Sequence, residues 1–290
     1  MSRKFNTFLQ NLDRLDRRII FLIIGLVVLF PLLVPLNLPV EPTGLTRDAF
    51  EAIHHLPDDA TVLISFEYGP STKPEIHPMA VSVLRHFFAR GYKVVVMCLW
   101  PDGLFMAREA LDEVLNDERF HDLVYGVDYV NLGYRPGNEA VIKGITKSFA
   151  ANFTVDSKQT DISEIPLMND IRTVADVDFI FSLSAGYPGA IEWVLYASDP
   201  LQIPVSSGNA SIQVNQLLPY VKSGQMKGVI AGMPGAAEYE ALMVEYGLWE
   251  TRGEAAKSMD AQSIAHLVIV LFIILGNIAY YAKRKTQKKY

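Results

Sequence analysis

Cysteine is nearly absent: Cys98 is the single one in 290 residues. That excludes an internal disulfide, a C-x-x-C redox pair and any multi-cysteine metal site. Cys98 stands in the apolar run Lys93-Val-Val-Val-Met-Cys-Leu99, where a thiol is expected to fill core space rather than to act as a nucleophile. The signatures of nucleotide and hydrolase chemistry are missing too. There is no G-x-x-x-x-G-K-[ST], no G-x-G-x-x-G after the first apolar run, no G-x-S-x-G and no H-E-x-x-H, so nucleotide hydrolysis, ordinary dinucleotide binding and zinc proteolysis lose their sequence support. The adjacent pair His54-His55 has no other ligand type beside it, and two histidines alone do not make a metal site. No metal and no cofactor is assigned from the sequence.

Basic charge is scarce between the two ends. Arg3, Lys4, Arg14, Arg17 and Arg18 against Asp13 and Asp16 give the first 18 residues +3, and Lys283, Arg284, Lys285, Lys288 and Lys289 give the last eight +5, which leaves −14 of the net −6 for the part between. A middle that acidic excludes nucleic acid as a partner, because phosphate neutralisation needs a basic surface. The lysines of the tails suit anionic lipid headgroups.

Long uncharged runs are what the chain does have. Residues 19–38 carry no charge, and Ser263 to Ala282 carry no acidic or basic residue except His266; each is about the 20 apolar residues that cross a bilayer. A basic stretch precedes the first run, as in a signal peptide, but no small-x-small cleavage site follows at Pro39-Val40-Glu41-Pro42. The expected organisation is a tail (1–18), a first span (19–38), a domain (39–260), a second span (261–282) and a tail (283–290). With basic tails on both sides, the positive-inside rule places both termini in the cytoplasm and the domain outside it. Gly25, Asn37, His266, Gly276 and Asn277 fall within the spans, and a polar side chain in lipid needs a hydrogen-bond partner. The expected partners are therefore the bilayer and either a second copy or another membrane protein.

Between the spans, short apolar runs alternate with helical patterns. Strands are expected at Thr61–Phe66, Lys93–Leu99, Val127–Leu132, Phe179–Leu183, Pro204–Ser207 and Gly228–Ile230, with helices at Pro78–Arg90, from the Pro101-Asp102-Gly103 turn to about Asn116, at Asn138–Ala151, after Asn209 to Lys222 and at Glu245–Met259. Residues 153–176 break the rhythm and read as an excursion with one short helix near Met168–Thr173. Alternation of this kind means parallel pairing. The fold class is α/β, a doubly wound, mostly parallel open sheet of about six strands, Rossmann-like or flavodoxin-like, flanked by two transmembrane helices.

One pattern occurs twice. Ala185-Gly-Tyr-Pro-Gly-Ala-Ile-Glu-Trp193 returns as Ala231-Gly-Met-Pro-Gly-Ala-Ala-Glu-Tyr239, each copy after an apolar run and before a helical one. This reads as strand, tight turn and helix, with the proline at the first helical position. Ligands in such folds bind beyond the carboxyl ends of the strands, so the candidate ligand-binding residues are Ser184, Gly186, Tyr187, Gly189, Ser206, Ser207, Asn209, Gly232 and Gly235. The bland alternative is that these glycines and prolines only make short turns.

Candidate catalytic groups are fewer. Glu192 and Glu238 hold matching places in the two copies and form a carboxylate pair if their helices converge; a glutamate early in a helix also simply complements its dipole. The stretch Glu67-Tyr-Gly-Pro-Ser-Thr-Lys-Pro-Glu-Ile-His77 brings acid, base and imidazole (Glu67 and Glu75, Lys73, His77) to one sheet edge, with Glu67, Glu75 and His77 the candidate catalytic groups. Three functions follow as expectations: a scaffold or assembly subunit of a membrane complex, an extracytoplasmic module binding a small molecule or anion, and an anchored hydrolase or transferase.

Overall fold

Each apolar run folds as a strand because its β-branched and aromatic side chains are covered on both sides, the condition a parallel sheet needs. A computed structural model describes residues 16–34 and 36–287, with side chains through residue 281. In chain order the elements are α1 (Arg17–Leu33), α2 (Gly44–His54), β1 (Thr61–Glu67), α3 (Lys73–Ala89), β2 (Lys93–Cys98), α4 (Gly103–Leu115), β3 (Tyr129–Tyr134), α5 (Glu139–Ile145), β4 (Phe179–Ser184), α6 (Ala190–Trp193), β5 (Val205–Asn209), α7 (Val214–Lys222), β6 (Val229–Ala231), α8 (Gly232–Glu245) and α9 (Glu254–Gln287). The six strands form one parallel sheet in the order β3-β2-β1-β4-β5-β6. That order reverses between β1 and β4, as in the Rossmann arrangement.

Residues 40–256 form one of two compact units. On one sheet face Leu63, Val95, Ile180 and Val205 pack with Val141, Ile142 and Ile145 of α5, Trp193 of α6 and Leu217 of α7. The other face is covered by α2, α3, α4 and α8. Trp193, Phe179, Phe181 and Phe66 are fully buried, and each large side chain of this kind contributes about 1.5–3 kcal/mol by leaving water. Cys98 lies in this core, with burial pushing its thiol pKa well up.

Several boundaries differ from the sequence reading. Helix α3 starts at Lys73, five residues before Pro78, because Pro74 occupies its first turn, where no N–H is required. Strand β3 begins two residues later than expected, β5 extends to Asn209, and the stretch 138–151 divides into α5 and a short turn of helix at Phe149–Asn152. The excursion holds a short helix at Pro166–Asp170. Helix α9 starts at Glu254, and the carboxylate of Glu240 accepts the backbone N–H groups of Gly253, Ala255 and Ala256 there, at 2.9 to 3.0 Å. Those are amides that a helix start leaves unpaired, so a buried carboxylate is stabilised by holding them.

The other unit comprises residues 1–39 and 257–290. Its α1 has 17 residues, with Pro31 inside it, and Val34 at its end is extended; Pro35 follows, and a residue before proline is disfavoured in the helical region. The expected first span therefore corresponds to a helix that stops at Leu33, and residues 36–43 have no regular structure. Among the described residues one helical stretch, Glu254–Tyr281, with mean hydropathy 2.2 over its most apolar 18 residues, is long and apolar enough to cross a membrane. The carboxylate of Asp260, buried, accepts the backbone N–H groups of Leu36, Asn37 and Leu38 at 2.9 to 3.2 Å. Asn277 donates to the Ile273 carbonyl one turn back in its own helix, at 2.9 Å. Of the basic tails, residues 1–15 and 288–290 lie outside the described residues.

Candidate functional site

Three rungs of the central sheet show how its character changes toward the carboxyl edge. Leu63, Ile180 and Val205 pair across β1, β4 and β5; two residues on, the same face carries Ser65, Ser182 and Ser207; two further, it carries Glu67, Ser184 and Asn209. Because side chains alternate along a strand, these nine share one face. All six polar members are buried.

Glu67 is fully buried, so desolvation of its charged form raises its pKa to about 8. The Ser65 hydroxyl donates to one carboxyl oxygen and the Ser182 hydroxyl to the other at 3.3 Å, which favours the anion but less than burial opposes it. The charge of Glu192 adds to the upward shift. At neutral pH Glu67 is therefore a carboxylic acid set behind the strand ends.

The place where the strand order reverses, between the ends of β1 and β4, is closed by protein. The Trp100 indole N–H donates to the Pro188 carbonyl at 3.1 Å, and an added β-carbon on Gly186 would lie 3.0 Å from the edge of that ring. Above β1 the turn has no glycine triplet, and Gly69 is packed on the Asp102 side chain. The opening lies one strand further along. A cleft of about 250 Å³ sits beyond β4 and β5, lined among others by Ser184, Gly186, Tyr187, Glu192, Asn209 and Gln216.

Asn209 forms the polar floor. It is 1% exposed; its Nδ2 donates to the Ser184 carbonyl at 3.2 Å and to Gln213 Oε1 at 3.4 Å. Turning the amide over would set two oxygens against each other at Ser184, which fixes its orientation. Its Oδ1 is left with no hydrogen-bond partner among the described residues. A buried acceptor without a donor costs roughly 1–3 kcal/mol, a cost that a donor reaching this atom would offset. A second depression of about 270 Å³, near Gln202, Pro204 and Lys227, lies at the amino end of β5 and includes no such atom.

The two copies of the repeated pattern do different things. In the first, the Tyr187–Pro188 peptide is cis and the helix begins only at Ala190, so Pro188 precedes the helix instead of opening it. Glu192 turns back and accepts the Gly189 N–H at 2.8 Å. A β-carbon on Gly189 would overlap Ser184 Oγ and the Gly186 carbonyl oxygen, so only glycine fits. In the second copy the helix starts at Gly232 itself, φ +60°, with Pro234 inside its first turn. Gly232 is packed against Ser211 and Glu75, and Gly235 against Ile230; neither lines the cleft. Glu238 accepts from the backbone N–H and hydroxyl of Thr43, at 3.1 and 2.7 Å. The carboxylate pair expected of Glu192 and Glu238 is thus divided between a cleft wall and the start of α2.

The acid–base set expected of Glu67, Glu75 and His77 is divided too. Glu67 is on the strand, not in a loop; Glu75 accepts from the Ser211 N–H and hydroxyl at 2.7 and 2.5 Å; His77, inside α3, has Nδ1 2.8 Å from the Tyr68 hydroxyl and Nε2 3.7 Å from Glu113. Each is held by a different neighbour. Of the other expected ligand residues, Ser206 points to the opposite sheet face and Ser207 is buried with its hydroxyl 3.4 Å from Met226 Sδ. His54 Nδ1 lies 3.3 Å from His86 Nε2 in an aromatic cluster with Phe50. No group of three or more metal-ligating side chains is assembled among the described residues.

The sequence reading missed Gln213, Gln216 and Leu217. Their i, i+3, i+4 spacing places them on one stripe of the chain that follows β5, a signal that was available once Asn209 was assigned to a strand end. No protein-family model and no curated protein matches the sequence. Among solved structures, the crystal structure of levodione reductase is similar at 13% identity and a TM-score of 0.24, over 74% of this chain and 92% of that one, a likeness too loose to carry an argument about function.

Proposed function

We propose that the chain is a membrane-anchored protein whose α/β domain binds a small polar molecule in the cleft beyond β4 and β5. The observation that carries this reading is the unpartnered Asn209 Oδ1, buried at the floor of a cavity where this topology receives ligands. A catalytic reading has less support: no histidine, cysteine or lysine lines the cleft among the described residues. Thermal unfolding of the full chain in detergent against a set of small polar metabolites tests it. A compound that raises Tm in the parent and not in Asn209→Ser supports the reading; no compound with that behaviour ends it.

The anchoring rests on the apolar helix and on the many exposed apolar side chains of α1 and α9, among them Phe21, Leu22, Phe30, Leu267, Ile273 and Ile274. Surfaces of that extent are covered by lipid or by another protein. With the basic tails, this favours two spans, both termini cytoplasmic and the domain outside. A reporter active only outside the cytoplasm is expected to work at Asp161 and to be silent after Tyr290; the reverse result overturns the orientation. A scaffold role in a membrane complex is the second reading, supported by the same apolar faces. A cysteine at position 277 with Cys98 replaced is then expected to crosslink to a partner helix in intact membranes.

A further inference from the structure

Glu192 decides what kind of molecule the cleft accepts. A helix start offers free N–H groups to an anion, but α6 has four residues and its capping N–H, Gly189, already donates to Glu192 Oε2 at 2.8 Å. The protein's own carboxylate stands where an anion would sit. Its other oxygen accepts from no group among the described residues. Asn209 Oδ1 is a second acceptor without a donor, buried on the floor. Neither arginine nor lysine nor histidine lines the cleft among the described residues, and Lys143 of α5 is spent on the ring of Tyr196, 4.0 Å away. At the mouth, the exposed ring of Tyr187 donates its hydroxyl to Glu139, a second carboxylate. The segment between the tails carries −14, a field that concentrates cations.

We infer that the cleft binds a small molecule carrying a primary ammonium group, held between Glu192 Oε1 and Asn209 Oδ1. Two acceptors and no donor of positive charge match the three N–H bonds of an ammonium, which has no acceptor of its own. The Tyr187 ring face at the mouth adds attraction for a cation. This rests on the cleft being a ligand site, as proposed above, and adds the charge and donor character of the ligand.

Matched pairs separate the two claims. Calorimetric titration of the full chain in detergent at pH 7 compares glucosamine with glucose and 1,4-diaminobutane with 1,4-butanediol, with inorganic phosphate as the anion. The expected result is that an amine binds at least tenfold more tightly than its alcohol partner, that salt weakens it, and that Glu192→Gln removes at least tenfold of the affinity. Gln retains an acceptor for the Gly189 N–H, so Tm without ligand reports whether that variant is folded. Gln216→Leu, on the exposed side of the cleft and outside that cap, supplies a second variant and is expected to weaken binding with Tm unchanged. Equal binding of alcohol and amine, or binding of phosphate, overturns the ammonium assignment and leaves the ligand site standing. If none of the five probes binds while another polar compound raises Tm in the parent only, the ammonium assignment again fails alone. Binding of nothing at all overturns both.

Discussion

Two stretches with the pattern A-G-x-P-G-A-x-E-aromatic occupy equivalent places after β4 and β6, yet one walls a cleft and the other is packed shut. After β4 the neighbouring strand β5 ends in Asn209 and the chain beyond it leaves space. After β6, at the sheet edge, Ser211 and Glu75 fill the position in front of Gly232. The same local chemistry therefore yields a site or a structural joint according to what the next element brings against it.

The largest test concerns the carboxyl groups behind the copies. Glu67 lies behind the first with its pKa raised from the usual carboxyl range to about 8. Below the unfolded value both states hold the proton. Between that value and 8 the unfolded chain sheds it while the fold retains it, so stability declines as pH rises and is flat above. The decline is on the order of 5 kcal/mol for a shift of this size. Glu67→Gln is expected to lose that part of the slope and to exceed the parent in urea midpoint at pH 8; an unchanged slope between pH 5 and 8 breaks the contrast.

Gly189→Ala comes next. A β-carbon would overlap the Gly186 backbone, and overpacking against main chain costs about 3 kcal/mol. A chemical-denaturation midpoint equal to the parent's would show the first turn to be ordinary. Gly232→Ala is expected to cost about 2 kcal/mol, from its positive φ, less than Gly189→Ala because the Ser211 and Glu75 side chains in the way can move.

The two glutamates sharpen the comparison. Glu238→Ala is expected to cost about 1–2 kcal/mol because the Thr43 N–H and hydroxyl lose their acceptor, and to leave ligand affinity unchanged. Glu192→Ala is expected to lose ligand affinity as well as the acceptor of the Gly189 N–H, so a paired titration and melt should both change. The smallest effect is Gly186→Ala, below about 1 kcal/mol, since the only crowding is the Trp100 ring edge; a larger loss of Tm would mean the indole cannot shift.

Much of the fold was legible. Runs such as Val94–Met97 and Phe179–Ile180–Phe181 are apolar on successive residues, as expected of a sheet covered on both faces. The start of α3 was not, because Pro78 reads as a helix opening while Pro74 actually occupies that turn. The end of the first uncharged run was not legible for a related reason: it carries no charge through Leu38, but Val34 before Pro35 leaves the helical region and the helix stops at Leu33.

The sequence by itself determined the α/β class, the parallel pairing and an apolar helix over 261–282, since these follow from period, run length and charge, all local properties. Only the tertiary structure decided which of two near-identical turns opens on a cleft, that Glu67 is a buried acid, and that Glu75, His77, Glu192 and Glu238 each have a separate partner. Those outcomes depend on groups far apart in the chain, Glu67 with Ser182 and Glu238 with Thr43, whose meeting is set by strand register and by which face each helix covers.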